Sequence, residues 1–556
     1  SEQIVTLGLR GGELISYEED GEIISGKTLQ VTEHAVTLEE QGEIPFGEVC
    51  EGYYQKEEVH SSNTSDIPIG YAFTDYLIKD GKICAFLILP KERMEYIRVA
   101  IQQSDYRGLY HKEVVLQSSE ELMLSYLENG ERKEEPLSAG KKLVLTQDTD
   151  YLKEGMLKVV NPTNSGRTDL LSVHRNQGIP SYRGNFEIHK TEEGLLLINE
   201  LLLEEYLYAV VPSEMPSTYP SESLKAQAVC ARTYSYGYLE HAGLPALGAH
   251  VDDSVNYQVY NNIMEKKSST DAVRQTEGEL LLQDGKPITA YYYSTSCGYG
   301  TDDRIWKEEG EGAAPYLRSV HIAQDENNES QENNEQTDTT QTDELQKNEQ
   351  PVANQQDNSQ KNLEQKNNED IDNKLSDLTQ EEVLREYLTT VHKEDYEKEE
   401  PWYRWSYTVQ DLDIDLLKKK LQERGISFAD FKKVKDMEII RRAAGGSART
   451  LVISTDQGEL QVEGEYEIRY VLNQEGEVIR QDDSAYTLST ILPSAYFVMD
   501  LQKGKKGITG FTLSGGGFGH GVGMSQNAAK AMAQSGRTYE EILAMFYWNC
   551  QLAKKY

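Results

Sequence analysis

At 556 residues, with 94 Asp and Glu against 56 Lys and Arg, the chain carries a formal charge of −38. So acidic a surface repels phosphate backbones and anionic lipid, which excludes nucleic acid as an expected partner. The length exceeds the roughly 250–300 residues at which single cores stop growing, so several folded units are expected.

The five cysteines, Cys50, Cys84, Cys230, Cys297 and Cys550, are too scattered for a disulfide scaffold or a paired CxxC metal site, and read as small buried apolar residues. No stretch approaches the ~18 uninterrupted apolar residues of a spanning helix. The richest, Leu195 to Val211, is broken by Asn199, Glu200, Glu204 and Glu205. Ser1 opens on neither a basic nor an apolar leader, so a signal or anchor is expected to be absent or removed before this numbering.

In chain order, residues 1–95 alternate apolar and polar positions between turns such as Gly11-Gly12 and Asp20-Gly21, predicting a small β-rich unit that stabilises or spaces. A second β-rich run opens at Ile97, and Tyr182 to Leu203 reads as strands around a Glu192-Glu193-Gly194 turn. Past Pro220 the period becomes helical, with Leu224, Ala228, Val229, Arg232, Tyr236 and Leu239 near one face and Gly243 suited to the end, a helix of about five turns. Residues 323–384 are predicted to be an acidic, Gln/Asn-rich insertion, disordered or weakly helical, because such composition buries too little apolar surface to offset ordering entropy. Folding resumes over 385–556, with strands predicted near Trp402 to Tyr407, Leu451 to Ile453 and Glu465 to Leu472. An Ala- and Met-rich helix follows from Ser525 to Gln534, and then a capping box at Thr538-Tyr539-Glu540-Glu541. The fold class expected is α+β, mostly β, with several domains and a few helices around a cleft.

Glu214 stands in Val210-Val211-Pro212-Ser213-Glu214-Met215-Pro216, between prolines that fix backbone φ, after an apolar strand and before the long helix. Apolar neighbours desolvate a carboxyl and raise its pKa, as a general acid requires. From spacing alone, a lone Glu before a helix is more often a solvated charge or a dipole partner.

The run from Glu205 to Pro216, followed by Leu224-Lys225-Ala226-Gln227-Ala228-Val229-Cys230-Ala231-Arg232-Thr233-Tyr234, resembles the signature of the SpoIID/LytB family. Ser294-Thr295-Ser296-Cys297-Gly298-Tyr299-Gly300 with Trp306, Pro315 to Val320, and Gly519-His520-Gly521-Val522-Gly523-Met524-Ser525-Gln526 agree in order. The resemblance touches residues 97–320 and 385–550, and so places its two parts in 96–322 and 385–556.

The resemblance implies an extracytoplasmic wall protein: a lytic transglycosylase acting on peptide-stripped glycan strands in sporulation, or a non-catalytic amidase enhancer on the same scaffold. In the enzymes the Glu of Ser-Glu-Met-Pro, here Glu214, is catalytic. It protonates the glycosidic oxygen and then takes the proton of the substrate's C6 hydroxyl, giving a 1,6-anhydro sugar without the second carboxylate of ordinary glycosidases. Peptidoglycan glycan strands are the implied partner, with a wall amidase or other sporulation wall proteins beside them. Candidate substrate-binding residues are Lys225, Gln227 and Arg232 on the helix, then Gln258 and Tyr260, Ser294 and Ser296, and His520 and Gln526. A surface salt bridge is the plain alternative for Lys225, and a structural role for Arg232 and His520. The family often places Cys and His before the Gln matching Gln258 to hold zinc; here Val251-Asp252-Asp253-Ser254-Val255-Asn256-Tyr257 lacks thiolates and imidazole. No cofactor or metal is therefore expected, and His250 reads as a surface histidine.

Overall fold

The computed structural model describes residues 6–324 and 378–556, apart from 11–12, 19–20, 57, 91–92, 164–165, 263, 308–309 and 506. It divides into two compact units, residues 1–289 with Gln551–Tyr556, and Ala290–Cys550. Strands outweigh helices in an α+β arrangement, as composition and patterning predict.

In the first unit, a seven-stranded sheet runs from Glu22–Ser25 at one end to Thr28–Val31 at the other, with Lys82–Ile88 in its interior. Its pairs are antiparallel except Gly42–Gln55 against Lys82–Ile88. An eight-stranded sheet follows, in which Leu195–Leu202 lies between Asn185–Lys190 and Tyr96–Ala100. Seven of the eight residues of Leu195–Leu202 are buried, which is why the strand does not alternate and is apolar except at Asn199 and Glu200. Its one carboxylate, Glu200, is neutralised by Arg98 at 2.6 Å and Lys27 at 2.6 Å. Arg98, fully buried, also pairs with Glu187 at 2.6 Å and donates from Nε to the Gly248 carbonyl at 2.7 Å. Breaking such a network on one side leaves an uncompensated buried charge.

The segment before Glu214 departs from expectation. It is a helix, α1 (Leu203–Glu214), in place of a strand leading directly to the carboxylate. Pro212 sits in the last turn, where its missing N–H costs one bond and the helix is about to end. Ser213 Oγ donates to the Ala209 carbonyl at 2.6 Å, and Met215, forced extended by Pro216, stops the helix at φ −130° and ψ 133°. The long helix α2 (Ser221–Glu240) follows Pro220 as predicted, and α3 (Lys267–Gln275) packs on both. A three-stranded sheet joins Glu279–Gln283 to Lys286–Pro287 and to Gln551–Lys554.

In the second unit a five-stranded sheet centres on Trp405–Val409 and a three-stranded one on Ala448–Thr455. The expected resumption at 385 comes earlier. The helix α4 (Glu381–Leu388) begins before it; Leu384 and Leu388, one turn apart on it, and Leu378 just ahead of it are buried against Cys297, Tyr299 and Tyr496. Of the insertion expected over 323–384, residues 325–377 lie outside the described residues. A second correction concerns Glu465 to Leu472, which forms a helix rather than a strand. It buries Ile468, Val471 and Leu472 on one face and pairs Glu465 with Arg469 at 2.8 Å across one turn. After α5 (Ile414–Glu423) and this helix, α6, the second unit closes with α7 (Gln526–Gln534) and α8 (Tyr539–Phe546). The Thr538–Glu541 capping box is formed in both directions. Among the described residues no helix is long and apolar enough to cross a membrane.

Candidate functional site

Glu214 ends α1, half-buried, where the helix gives way to extended backbone. Its Oε1 accepts the Val259 amide N–H at 2.8 Å, so the carboxyl is oriented by backbone from a different part of the chain. Residues around Val259 are fixed in turn. Gln258, 2 % exposed, accepts from Ser235 Oγ at 2.5 Å, and Tyr260, 1 % exposed, donates to Asn199 Oδ1 at 2.9 Å. The Tyr206 ring stacks obliquely on Tyr260 with centroids 4.7 Å apart, and its buried hydroxyl resists ionisation, burial first and the neighbouring Tyr260 and Glu214 next. Buried aromatic and amide side chains thus flank Val259, the residue that holds the carboxyl.

Three residues predicted on α2 have different fates. Lys225 forms an i,i+3 ion pair with Glu222 at 2.7 Å and stays partly exposed. Gln227 has no exposed surface. Arg232 has none either, which overturns its assignment to substrate. Its Nε and Nη2 grip both oxygens of Glu204 at 2.7 and 2.8 Å, and Nη2 also donates to the Val273 carbonyl at 3.0 Å. Tyr556 donates to the same Glu204 at 2.9 Å. The guanidinium is an internal strut joining α1, α2 and α3. Burial likewise keeps the side chains of Gln258 and Tyr260 from direct contact with a ligand, and they act here as supports of Val259.

The loop that leads to Val259 is tied down electrostatically. Asp253, with no exposed surface, pairs with Arg175 and accepts the Gln102 amide at 3.0 Å. Burial raises its pKa to about 6 even though the Arg175 charge opposes the rise. His250 is buried, not at the surface: Nδ1 accepts the Arg98 amide at 2.9 Å, and Nε2–H faces the Ile69 carbonyl at 3.2 Å. Burial and then the Arg98 charge push it down to about 3, so it is a neutral linker. Among the described residues no group of three His, Cys, Asp or Glu side chains is placed to hold a metal ion.

In the second unit Ser294 is half-buried beside Thr295, its Oγ 3.1 Å from Thr295 Oγ1. Ser296 is buried and donates from Oγ to Glu397, whose other oxygen accepts the Ser296 amide at 3.0 Å and Ser525 Oγ at 2.7 Å. Burial raises Glu397 to about 8 despite these donors. Ser296 therefore serves an internal acid, and its substrate role is withdrawn on the same ground as that of Arg232. Gln526 opens α7 and is 9 % exposed. His520 is half-buried, with Nε2–H facing the Tyr292 carbonyl and Nδ1 accepting the Val522 amide, each at 3.1 Å. Tyr291, Tyr293 and Trp306 enclose the ring and burial lowers its pKa to about 4, so it is neutral at ordinary pH.

Sequence reasoning missed Glu397, Asp253 and Arg175. Glu397 stands in Glu394-Asp395-Tyr396-Glu397-Lys398-Glu399-Glu400, which reads as a solvated charge run. Only the Tyr396 in its midst hinted at a buried face.

Residues 191–282 match the family model described as Stage II sporulation protein, and 303–523 match a domain of unknown function (DUF8618). The chain is 25% identical over 345 residues to an amidase enhancer of Bacillus subtilis (strain 168), covering 61% of this chain and 39% of that protein. It is 36% identical over 146 residues to the Stage II sporulation protein D of the same organism, covering 24% of this chain and 41% of the relative, and likewise to that of Bacillus amyloliquefaciens. The match thus spans about two fifths of the length of these relatives. Glu214, Lys225, Arg232 and Val259 all fall inside the Stage II sporulation protein match, so the chain carries a SpoIID-family domain over residues 191–282.

Proposed function

We propose that the chain cuts peptidoglycan glycan strands outside the cytoplasmic membrane by a lytic transglycosylase mechanism, with Glu214 as the single acid and base. The observation that carries this reading is the Glu214 carboxyl at the end of α1, oriented by the Val259 amide at 2.8 Å within the family-matched stretch. Protonated, it gives its proton to the glycosidic oxygen as the bond to C1 breaks. As carboxylate it then removes the C6 hydroxyl proton while O6 closes on C1. The proton count balances, and water takes no part in the step. An amide donor aimed at a carboxylate oxygen stabilises the ionised stage.

Incubation of the protein with peptide-stripped strands, followed by mass spectrometry, tests the proposal through 1,6-anhydro ends. Absence of such ends from wild-type digests, on stripped and peptide-bearing strands alike, would refute it. A second reading, a non-catalytic wall protein that stimulates an amidase, draws support from the amidase enhancer match, which spans more of this chain than the others described. It predicts stimulation of a wall amidase by wild type and Glu214→Gln alike.

A further inference from the structure

A groove of about 640 Å³ lies wholly within the second unit, between the turn at Asp303–Trp306, the strand ends at Arg441, Arg449 and Glu463, and the start of α6. That is the size of a small-molecule or saccharide site. Two large aromatic side chains line it while remaining open to solvent, Trp306 at 43 % and Tyr466 at 40 % exposure. Trp306 is braced from behind by Tyr291 and His520, with centroids 5.0 and 5.2 Å away. Its indole N–H faces Glu465 Oε1 at 3.5 Å, and that carboxylate is buried and clamped by Arg469 at 2.8 Å. The indole is thus held in one orientation, although it leaves a wide surface in water, where burial of the same ring would be favourable.

The charges lining the groove decide what it would accept. Lys307, Arg441 and Arg449 balance Glu463, Glu465 and Glu467, so the described lining has no net charge and offers neither a polyanion nor a polycation an attractive field. Planar carboxylates and guanidiniums instead present pairs of acceptors and donors at spacings that suit vicinal hydroxyls. A neutral ligand with one apolar face and a hydroxylated rim satisfies both features, and a pyranose ring is such a ligand.

We infer that this groove is a glycan-binding site, in which a hexosamine ring stacks on the Trp306 indole with Tyr466 beside it and the Arg441–Glu463 pair and Arg449 hold its hydroxyls. The choice of an N-acetylated hexosamine over other neutral sugars rests on the proposed function. The groove itself does not, because none of its residues belongs to the unit that carries Glu214.

All four tryptophans, Trp306, Trp402, Trp405 and Trp548, lie in the second unit, so their emission reports on it. The experiment titrates the full chain with the N-acetylglucosamine tetrasaccharide, following tryptophan emission and, in parallel, heat. The same titration is run on Glu214→Gln, Tyr466→Ala, Trp306→Ala and Trp306→Phe, with the melting of each variant recorded. Expected are a change in emission on binding, unaltered affinity in Glu214→Gln, weakening by about tenfold in Trp306→Ala and severalfold in Tyr466→Ala, and partial retention in Trp306→Phe. Unaltered affinity in both alanine variants, or no emission change up to the order of millimolar tetrasaccharide, overturns the inference. Binding that depends on Trp306 without anhydro products from wild type would sink the proposed function and leave this site standing. Cleavage with binding indifferent to Trp306 would do the reverse.

Discussion

The Val259 amide and the Glu214 carboxylate meet at 2.8 Å although 45 positions of chain separate them. Between them lie α2 and the loop of Asp253, which is tied to Arg175 and the Gln102 amide. The carboxyl is therefore set by backbone that a side-chain substitution cannot remove, and its chemistry can be changed without disturbing its position.

Glu214→Gln follows from that. The amide oxygen of Gln still accepts the Val259 N–H, so melting should be unchanged, whereas no proton can be passed to the glycosidic oxygen. Release of anhydro-ended fragments should fall by on the order of 10²–10⁴. Mass spectrometry beside a thermal scan checks both halves, and equal cleavage by the variant would remove Glu214 from the mechanism.

Arg232→Met should act on stability instead. It deletes the partner that holds both oxygens of Glu204 at 2.7 and 2.8 Å. Removing one side of a buried ion pair costs about 3–5 kcal/mol. Denaturant unfolding followed by first-unit probes should shift accordingly, while the affinity of the remaining folded protein for glycan stays at the wild-type value. A selective loss of affinity at unchanged stability would restore Arg232 to the substrate.

Chelators should leave melting unchanged, and elemental analysis should find no stoichiometric zinc. Asp253→Ala, by contrast, strands the buried Arg175 guanidinium and the Gln102 amide, and should destabilise the first unit by about 3–5 kcal/mol. One zinc per chain would show that the loop carrying Val259 is held in some other way.

Glu397 gives a pH signature. Its folded pKa is raised to about 8, so between the ordinary carboxylate range and pH 8 the folded state binds more proton than the unfolded one. Stability from this group is full at low pH and declines as pH rises through that window. His520 has the opposite sign: held down to about 4, it loses stability as pH falls from 6.5 toward 4. Between pH 6.5 and 8 Glu397 acts without that opposition. Second-unit melting should fall there in wild type, and Glu397→Gln, which keeps a hydrogen-bonding group of the same size, should flatten the fall. A parallel pH profile in the variant would count against a proton on Glu397.

The features legible in the sequence were those with local causes. Pro220 and a clean helical period marked α2, and the Thr538–Glu541 box marked α8, because the signal and the structure lie within one turn of each other. The helix α1 was hidden by Val210, Val211 and Pro212, residues that favour strand or break helix and are overruled here by packing of Tyr206, Leu207 and Val210 into the core. A long family-like motif singled out Glu214 as the candidate, whereas nothing local signalled the fates of Arg232, Ser296 and His250. Each is decided by a partner far along the chain: Glu204 for Arg232, Glu397 for Ser296 and Ile69 for His250.

The strand Gln551–Lys554 closes the sheet begun by Glu279–Gln283, and Tyr556 reaches Glu204 at 2.9 Å. During synthesis the ribosome must therefore make the entire second unit before the first can receive its last strand. Until then Glu279–Gln283 presents an unpaired edge in a nascent chain, the kind of surface that recruits chaperones or pairs with a neighbour. Ordered assembly thus runs backwards for this molecule: the unit translated first is the one finished last.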